Sequence, residues 1–232
     1  MTTLLILLTL GYFVYRGMQR RRKPTVSSPT PVARSQLQGD AGEALVQDEL
    51  RRVLTWLCGA NFYLYPTALL LNHAPGTSYP TAEVDHLAIT PFGIFVIETK
   101  NWTGVIEPGC DADLIIRIGA DGRREERRSP LRQNRSKVTF LRTMLPGIWA
   151  VEGVGVFAND ACALSAALPS SLIRRSDLGQ WLRERKSRHD ASGRKGININ
   201  AARQSIEAVR AVDPTGIALA RHRALVRANP SF

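Results

Sequence analysis

The stretch EVDHLAITPFGIFVIETKNW (Glu83–Trp102) constrains the fold more than any other part of the chain. Two apolar runs flank Thr90-Pro91-Phe92-Gly93, where Pro second and Gly fourth mark a type I turn. A hairpin closed there pairs Ile89 with Ile94, so Leu87 faces Val96 and Asp85 faces Glu98. Side chains alternate along a strand, so Lys100 projects from the same face as Glu98, about 7 Å further along. Directly opposed residues hold their Cβ atoms about 5 Å apart. Two carboxylates at that distance on an apolar face repel each other. A divalent cation between them reverses the sign of the interaction. The same spacing also fits an ordinary surface pair of Glu98 and Lys100 on a half-exposed strand.

Upstream, GDAGEALVQDELRRVL reads as a helix, with Asp40 as N-cap and Glu43 three residues later as in a capping box. Val46, Leu50, Val53, Leu54 and Leu57 recur at helical spacing and form one apolar stripe. Glu43 precedes Val46 by three and Leu50 by seven, so it points toward that face. It is either a cap alone or a carboxylate delivered to the paired acids. Asn61–Leu71 reads as a strand that Pro66 confines to an edge or a bulge, and Asn72–Thr81 as a polar loop. Asp113–Arg128 reads as a hairpin turning at Ala120–Gly122. Leu131–Leu145 is amphipathic, with Leu131, Asn134, Val138, Leu141 and Leu145 on one side, and Pro146-Gly147 ends it. Val151–Asn159 reads as a buried strand, and helices follow at Ser176–Lys186, Asn200–Val212 and Gly216–Ala228. Strands and helices mixed around one core make the class α/β.

The chain's 232 residues, 44% of them hydrophobic, bury a real core and exclude a disordered protein. Cys58, Cys110 and Cys162 are odd in number and lack zinc-knuckle spacing, which fits free thiols in a reducing compartment. Positive charge sits at the two ends. Residues 1–23 carry five basic and no acidic side chains, residues 24–170 carry 13 basic and 15 acidic, and residues 171–232 carry 13 basic and five acidic. Such a basic tail is either a solvated surface or a hold on phosphate backbones or anionic lipid.

At the amino end, Thr2–Tyr15 is uncharged and mostly apolar, and snorkelling of Arg16 extends the usable segment to about Met18. All its charge follows the apolar run, unlike a secretory signal. The basic run Arg20–Lys23 then holds the following chain in the cytoplasm. A single-pass anchor over residues 1–18 is expected; a cleaved signal or merely a sticky amino-terminal helix are the alternatives. Residues 19–36 read as a basic, Pro/Ser-rich linker, extended through Pro24–Gln38.

Paired carboxylates beside a lysine suit metal-dependent phosphodiester cleavage. Two carboxylates and a backbone carbonyl hold Mg²⁺, a hard cation that prefers oxygen. Such an ion polarises the scissile phosphate and helps deprotonate water. The lysine orients that water or stabilises charge in the transition state. His86 falls on the opposite face from Asp85 by alternation and reads as packing or support from behind. His189-Asp190 lacks partner histidines, and Trp102 and Trp149 read as core aromatics. No Walker-type phosphate loop or serine-nucleophile elbow is present.

GDAGE at Gly39–Glu43, the block Glu83–Ile106 and SPLRQN at Ser129–Asn134 resemble the nuclease-related domain (NERD) family, regarded as a branch of the PD-(D/E)xK nuclease superfamily. The resemblance covers about residues 37–150, in the same order and at similar intervals. It implies a restriction-endonuclease-like core, a central mixed β-sheet flanked by helices, which residues 151–232 complete with a strand and basic helices. It also implies Asp85 and Glu98 as metal ligands, the Thr99 carbonyl as a further ligand and Lys100 as the catalytic lysine. Glu43 comes from the preceding helix and Gln133 from the following one. The chain departs from the pattern at Val84, where the superfamily often has Pro. It departs again at Lys137, where related families have an aromatic four residues after the glutamine.

The expected function is a Mg²⁺- or Mn²⁺-dependent nuclease acting on DNA, tethered to the inner or plasma membrane with its C-terminal domain cytoplasmic. The alternative is a non-catalytic nucleic-acid-binding or membrane-associated scaffold that keeps the fold. Protein partners and oligomeric state are not legible in the chain.

Overall fold

A computed structural model describes residues 31–213 and 215–228. The expected anchor over residues 1–18 and most of the linker lie outside the described residues. Among those described, no helix is long and apolar enough to cross a membrane. The first helix, α1, spans Pro31–Cys58. It therefore begins well before the expected start at Asp40, and the end of the linker is helical instead of extended. Proline suits the first turn of a helix, and Val-Ala-Arg-Ser-Gln-Leu-Gln contains no breaker. Asp40 lies inside the helix and does not cap it.

The strands follow as β1 (Tyr63–Leu64), β2 (Leu69–Leu71), β3 (Ala82–Val84), β4 (His86–Thr90), β5 (Gly93–Lys100), β6 (Gly104–Pro108), β7 (Leu114–Ile118) and β8 (Arg124–Arg128). Then come α2 (Pro130–Met144), β9 (Val151–Phe157), β10 (Cys162–Leu164), β11 (Leu172–Arg174), α3 (Leu178–Ala191), α4 (Ile199–Val209) and α5 (Ile217–Ala228). The central sheet has the order β1-β4-β5-β9-β11. Its β1–β4 and β4–β5 pairs are antiparallel, and its β5–β9 and β9–β11 pairs are parallel. The fold is thus α/β with a mixed central sheet flanked by helices. A second sheet, β10-β6-β7-β8, and the short pair β2–β3 stand beside it.

The β4–β5 register is the one the turn implies: Ile89 pairs with Ile94, Leu87 with Val96 and His86 with Ile97. Pro66 separates β1 from β2, and the 113–128 hairpin pairs Leu114 with Arg128 and Ile118 with Arg124.

Alternation sorts the central strands into two apolar faces. Ala88, Phe95, Ile97, Val154 and Val156 pack against Val46, Leu50, Val53 and Leu54 of α1 and Leu178, Trp181 and Leu182 of α3. Leu87, Ile89, Ile94, Val96 and Val151 pack against Val138 and Leu141 of α2 and Ala202 and Ile206 of α4. A strand covered on both sides reads as a continuous apolar run, as β5 does until Glu98.

Two glycines let α2 lie close on β9. A Cβ on Gly155 would stand 2.5 Å from Cβ of Pro130 and 2.6 Å from Cδ2 of Leu172, and one on Gly153 would stand 3.0 Å from Cγ2 of Val138. Their spacing of two puts both on the α2 face, and this close approach brings the helix's polar side chains down to β5.

Candidate metal and phosphate site

Parity along β5 decides where each charged group goes. Glu98 and Lys100 continue the face of Ile94 and Val96, so they point toward α2. Thr99 continues the face of Phe95 and Ile97, toward α1. On the neighbouring strand, Asp85 shares parity with Leu87 and His86 with Ala88. The two carboxylates therefore share one face, and His86 and Thr99 share the other.

Asp85 sits at the break where the chain leaves β3 and enters β4. Its Oδ2 accepts a hydrogen bond of 2.8 Å from the backbone N–H of Thr99. The carboxylate thus replaces a strand partner where the ladder ends, which ties it to the strand bearing Glu98. Its Oδ1 accepts no hydrogen bond among the described residues. Burial and the Glu98 charge push Asp85 well above the usual carboxylate range, to about 8, with Lys137 and Lys100 opposing them.

Glu98 is buried, at 6% exposure. Lys100 Nζ donates to its Oε1 at 2.8 Å, and Lys137 Nζ donates to its Oε2 at 2.6 Å. Burial alone would raise Glu98, but the two ammonium groups prevail and hold it at about 2. The pair is thus asymmetric: one carboxylate is stabilised as an anion, and the other retains its proton more readily. Lys137 is itself buried. Burial would lower its pKa, yet Glu98 and Asp85 together raise it, so it stays charged.

The helix segment SPLRQN earns each letter. Ser129 is the N-cap of α2 and accepts from Leu131 N–H, and Pro130 occupies the first turn. Gln133 Oε1 accepts from Lys100 Nζ at 2.8 Å. Buried Asn134 donates through Nδ2 to the carbonyls of Val96 on β5 (2.9 Å) and Val154 on β9 (3.1 Å). One turn beyond Gln133, Lys137 reaches the same acid as Lys100.

Behind this face, His86 Nδ1 and Gln47 Oε1 lie 2.9 Å apart, and His86 Nε2 and Thr99 Oγ1 lie 3.0 Å apart. Gln47 Nε2 donates to the Tyr65 carbonyl, so its Oε1 is an acceptor and His86 carries its proton on Nδ1. Nε2 then accepts from the Thr99 hydroxyl. Burial lowers His86 to about 4, so it is a neutral brace between α1 and β5. Asn101 completes the joint. It exchanges hydrogen bonds with Gln38 (2.8 and 2.7 Å), and Gly42 makes room for it, since a Cβ there would lie 2.5 Å from Cβ of Asn101.

Glu43 reaches the rim instead of the centre. No hydrogen bond joins it to Asp85, Glu98 or Lys100, and its ion pair is with Arg223 of α5 at 3.8 Å. Burial raises Glu43, Arg223 offsets part of that, and Glu83, Asp40 and Glu98 add to it. Arg223 also lies 2.5 Å from Glu83 and 3.9 Å from Asp40. The basic carboxyl-terminal helix thus touches the acidic rim directly. By contrast, the basic stretch around Arg194 and Lys195 lies at the other end of the sheet, where Ile197 N–H donates to the Pro91 carbonyl in the β4–β5 turn.

Asp85, Glu98, Lys100 and Gln133 therefore converge as the sequence suggests, while Lys137 and Arg223 were missed. Lys137 carried a signal, falling three residues after Asn134 and one before Val138 on the buried side of an amphipathic helix. Arg223 carried none, because only the tertiary fold brings it to Glu83. Among the described residues no group of three or more carboxylate, histidine or cysteine side chains is placed to hold an ion. Two carboxylates with a free Oδ1 on Asp85, and no sulfur or imidazole facing them, form an oxygen donor set. It suits a hard cation that keeps much of its water. His189-Asp190 lies on α3, away from this site.

A family model described as the nuclease-related domain, NERD, matches residues 38–158. No curated protein and no solved structure gives a significant match. The matched span runs from α1 to just past β9 and includes every group that converges on Glu98.

Proposed function

The chain belongs to the nuclease-related domain family, and on that premise we propose that it is a divalent-cation-dependent nuclease hydrolysing DNA phosphodiester bonds on a restriction-endonuclease-like core. The observation that carries this reading is the convergence of Asp85, Glu98 and Lys100 at one end of the central strands, with Gln133 on the lysine.

Asp85 and Glu98, with the Thr99 carbonyl, would hold Mg²⁺ or Mn²⁺, which when bound supplies polarisation of the scissile phosphate and acidifies water. Lys100 is the group poised to orient an attacking water or to stabilise charge on the phosphorane-like transition state. Gln133 and Glu98 fix its ammonium from two sides. Glu43 with Arg223 shapes the entrance, where the guanidinium offsets the acids that would otherwise repel a polyanion. Residues 1–18 would tether this domain to the inner or plasma membrane with the catalytic part cytoplasmic. Separation of the full-length chain with or without residues 1–23 into membrane and soluble fractions tests that.

Incubating the full-length chain with plasmid DNA and Mg²⁺ or Mn²⁺ should yield nicked or linear product, and Glu98→Ala and Lys100→Ala should each abolish it. Cleavage persisting in both variants would remove the site assignment. A second reading, a non-catalytic nucleic-acid-binding module or membrane-associated scaffold, draws on Lys137: both Glu98 oxygens already accept from ammonium groups. DNA binding that is salt-sensitive, ignores Mg²⁺ and survives Glu98→Ala would favour a binding module.

A further inference from the structure

We propose that Lys137 is a built-in counter-cation of the acid pair, so that a divalent cation binds strongly only when a nucleic-acid phosphate enters with it. The proposal rests on the metal-site reading above. One ammonium, that of Lys100, already pairs with Glu98 Oε1 at 2.8 Å. A second, that of Lys137, pairs with Oε2 at 2.6 Å. For one carboxylate this is a cation in excess; for Asp85 and Glu98 together, both ionised as a bound cation would need them, it is charge balance.

The Lys137 and Glu98 side chains are 9% and 8% exposed, so water screens their charges little. With Lys100 alone the ionised pair would carry a net charge of −1 and attract a dication unaided. With Lys137 added the four groups sum to zero even with both acids ionised, and a dication arriving alone would leave a charge of +2 at a nearly dry site. A phosphodiester offsets part of that charge. It also supplies oxygens that two carboxylates cannot, because Mg²⁺ seeks six ligands. Each carboxylate oxygen has a second lone pair, so the ammonium contacts do not bar ligation.

Lys137 is also held in place. It lies one helical turn after Gln133, and α2 is fixed on the sheet by Asn134 and by the glycine-lined face of β9. Moving its ammonium away from Glu98 would require a new rotamer in a packed layer.

Calorimetric titration of the full-length chain with Ca²⁺, alone and with a short DNA duplex, tests the proposal by reading binding, not turnover. The wild-type chain should bind Ca²⁺ at least about tenfold more tightly with the duplex present. Lys137→Met should bind Ca²⁺ without DNA at least about tenfold more tightly than wild type and gain less from the duplex. Lys137→Arg, which keeps the charge, should behave as wild type. Lys137→Gln keeps a polar end near Glu98 and makes the same comparison if the methionine variant fails to fold. If Met and Gln variants bind Ca²⁺ alone no more tightly than wild type while Glu98→Ala loses binding, the metal site stands and the role of Lys137 is overturned. If no form binds Ca²⁺ with or without DNA, the metal-site reading itself fails and the proposal falls with it.

Discussion

Oδ2 of Asp85 accepts the backbone N–H of Thr99 at 2.8 Å, which ties the first acid of the pair to the strand that carries the second. The bond takes over a ladder position at the end of β4, so one carboxylate both ends the strand pairing and faces Glu98. Asp85→Ala should leave that N–H without its acceptor and cost about 1–3 kcal/mol of stability. Asp85→Asn keeps an acceptor oxygen and removes the repulsion with Glu98, so it should match or exceed wild type. Urea unfolding of the three proteins without added metal makes the comparison.

The same groups predict an unusual pH profile. Asp85 is raised to about 8, so its contribution is present below the ordinary carboxylate range and is lost as pH rises through that value. His86 is lowered to about 4, so its contribution is present above about 6.5 and is lost as pH falls toward 4. The two slopes oppose each other between about pH 4 and 6.5, and only that of Asp85 remains above it. Stability of wild type relative to Asp85→Asn should therefore fall between about pH 6.5 and 8, measured by urea unfolding across buffers. A flat difference over that window would refute the assignment of the retained proton.

Among the described residues, Gln133 hydrogen-bonds Lys100 and no other group at the centre. Its loss should leave Lys100 on Glu98 but free to swing. A hydrogen bond to a charged group contributes about 1.5–3 kcal/mol, so Gln133→Ala should slow cleavage about ten- to a hundredfold, short of the loss in Lys100→Ala. Initial rates of plasmid nicking with Mg²⁺ rank the two variants.

Gly155 is a packing position whose effect reaches the site. A methyl there would collide with Pro130 and Leu172. Gly155→Ala should cost about 1–3 kcal/mol and lift the start of α2 from β9. The urea midpoint reports the first effect; weaker cleavage at temperatures where the variant remains folded reports the second.

Arg223 links α5 to Glu83, Glu43 and Asp40. Arg223→Ala should expose that acidic rim, weaken DNA binding and reduce the slope of log affinity against log salt by up to about one. Fluorescence anisotropy over a salt series measures both. Replacing Arg194 and Lys195 with Ser should leave the cleavage rate unchanged, since that basic stretch lies by Pro91 at the other end of the sheet.

Much of the site was legible because alternation along a strand is rigid. Once the turn at Pro91-Phe92 fixes Ile89 against Ile94, the faces of Asp85, Glu98 and Lys100 follow without further information. Helix α2 was readable for a related reason: its apolar stripe shows which side meets the sheet. Lys137 was legible only as a departure from the family pattern, because a lysine beside that stripe reads as an exception until Glu98 is seen beneath it. The early start of α1 was hidden by Gly39 and by a Pro/Ser-rich approach that suits an extended chain. A tertiary contact also holds part of that extra stretch, where Gln38 and Asn101 exchange hydrogen bonds. The pairing of β6 with β10 joins segments far apart in sequence, and no local pattern announces that parallel ladder or the one between β9 and β11.

In the proposed nuclease, Asp85 and Glu98 share one divalent cation in company with a phosphate. Diffraction from crystals of the full-length chain grown with a short DNA duplex and Mn²⁺, recorded for anomalous scattering, tests it directly. One manganese peak within bonding distance of both carboxylates and a phosphate oxygen is the expected result. A duplex bound with no manganese at these two residues, their ammonium partners still in place, would contradict it.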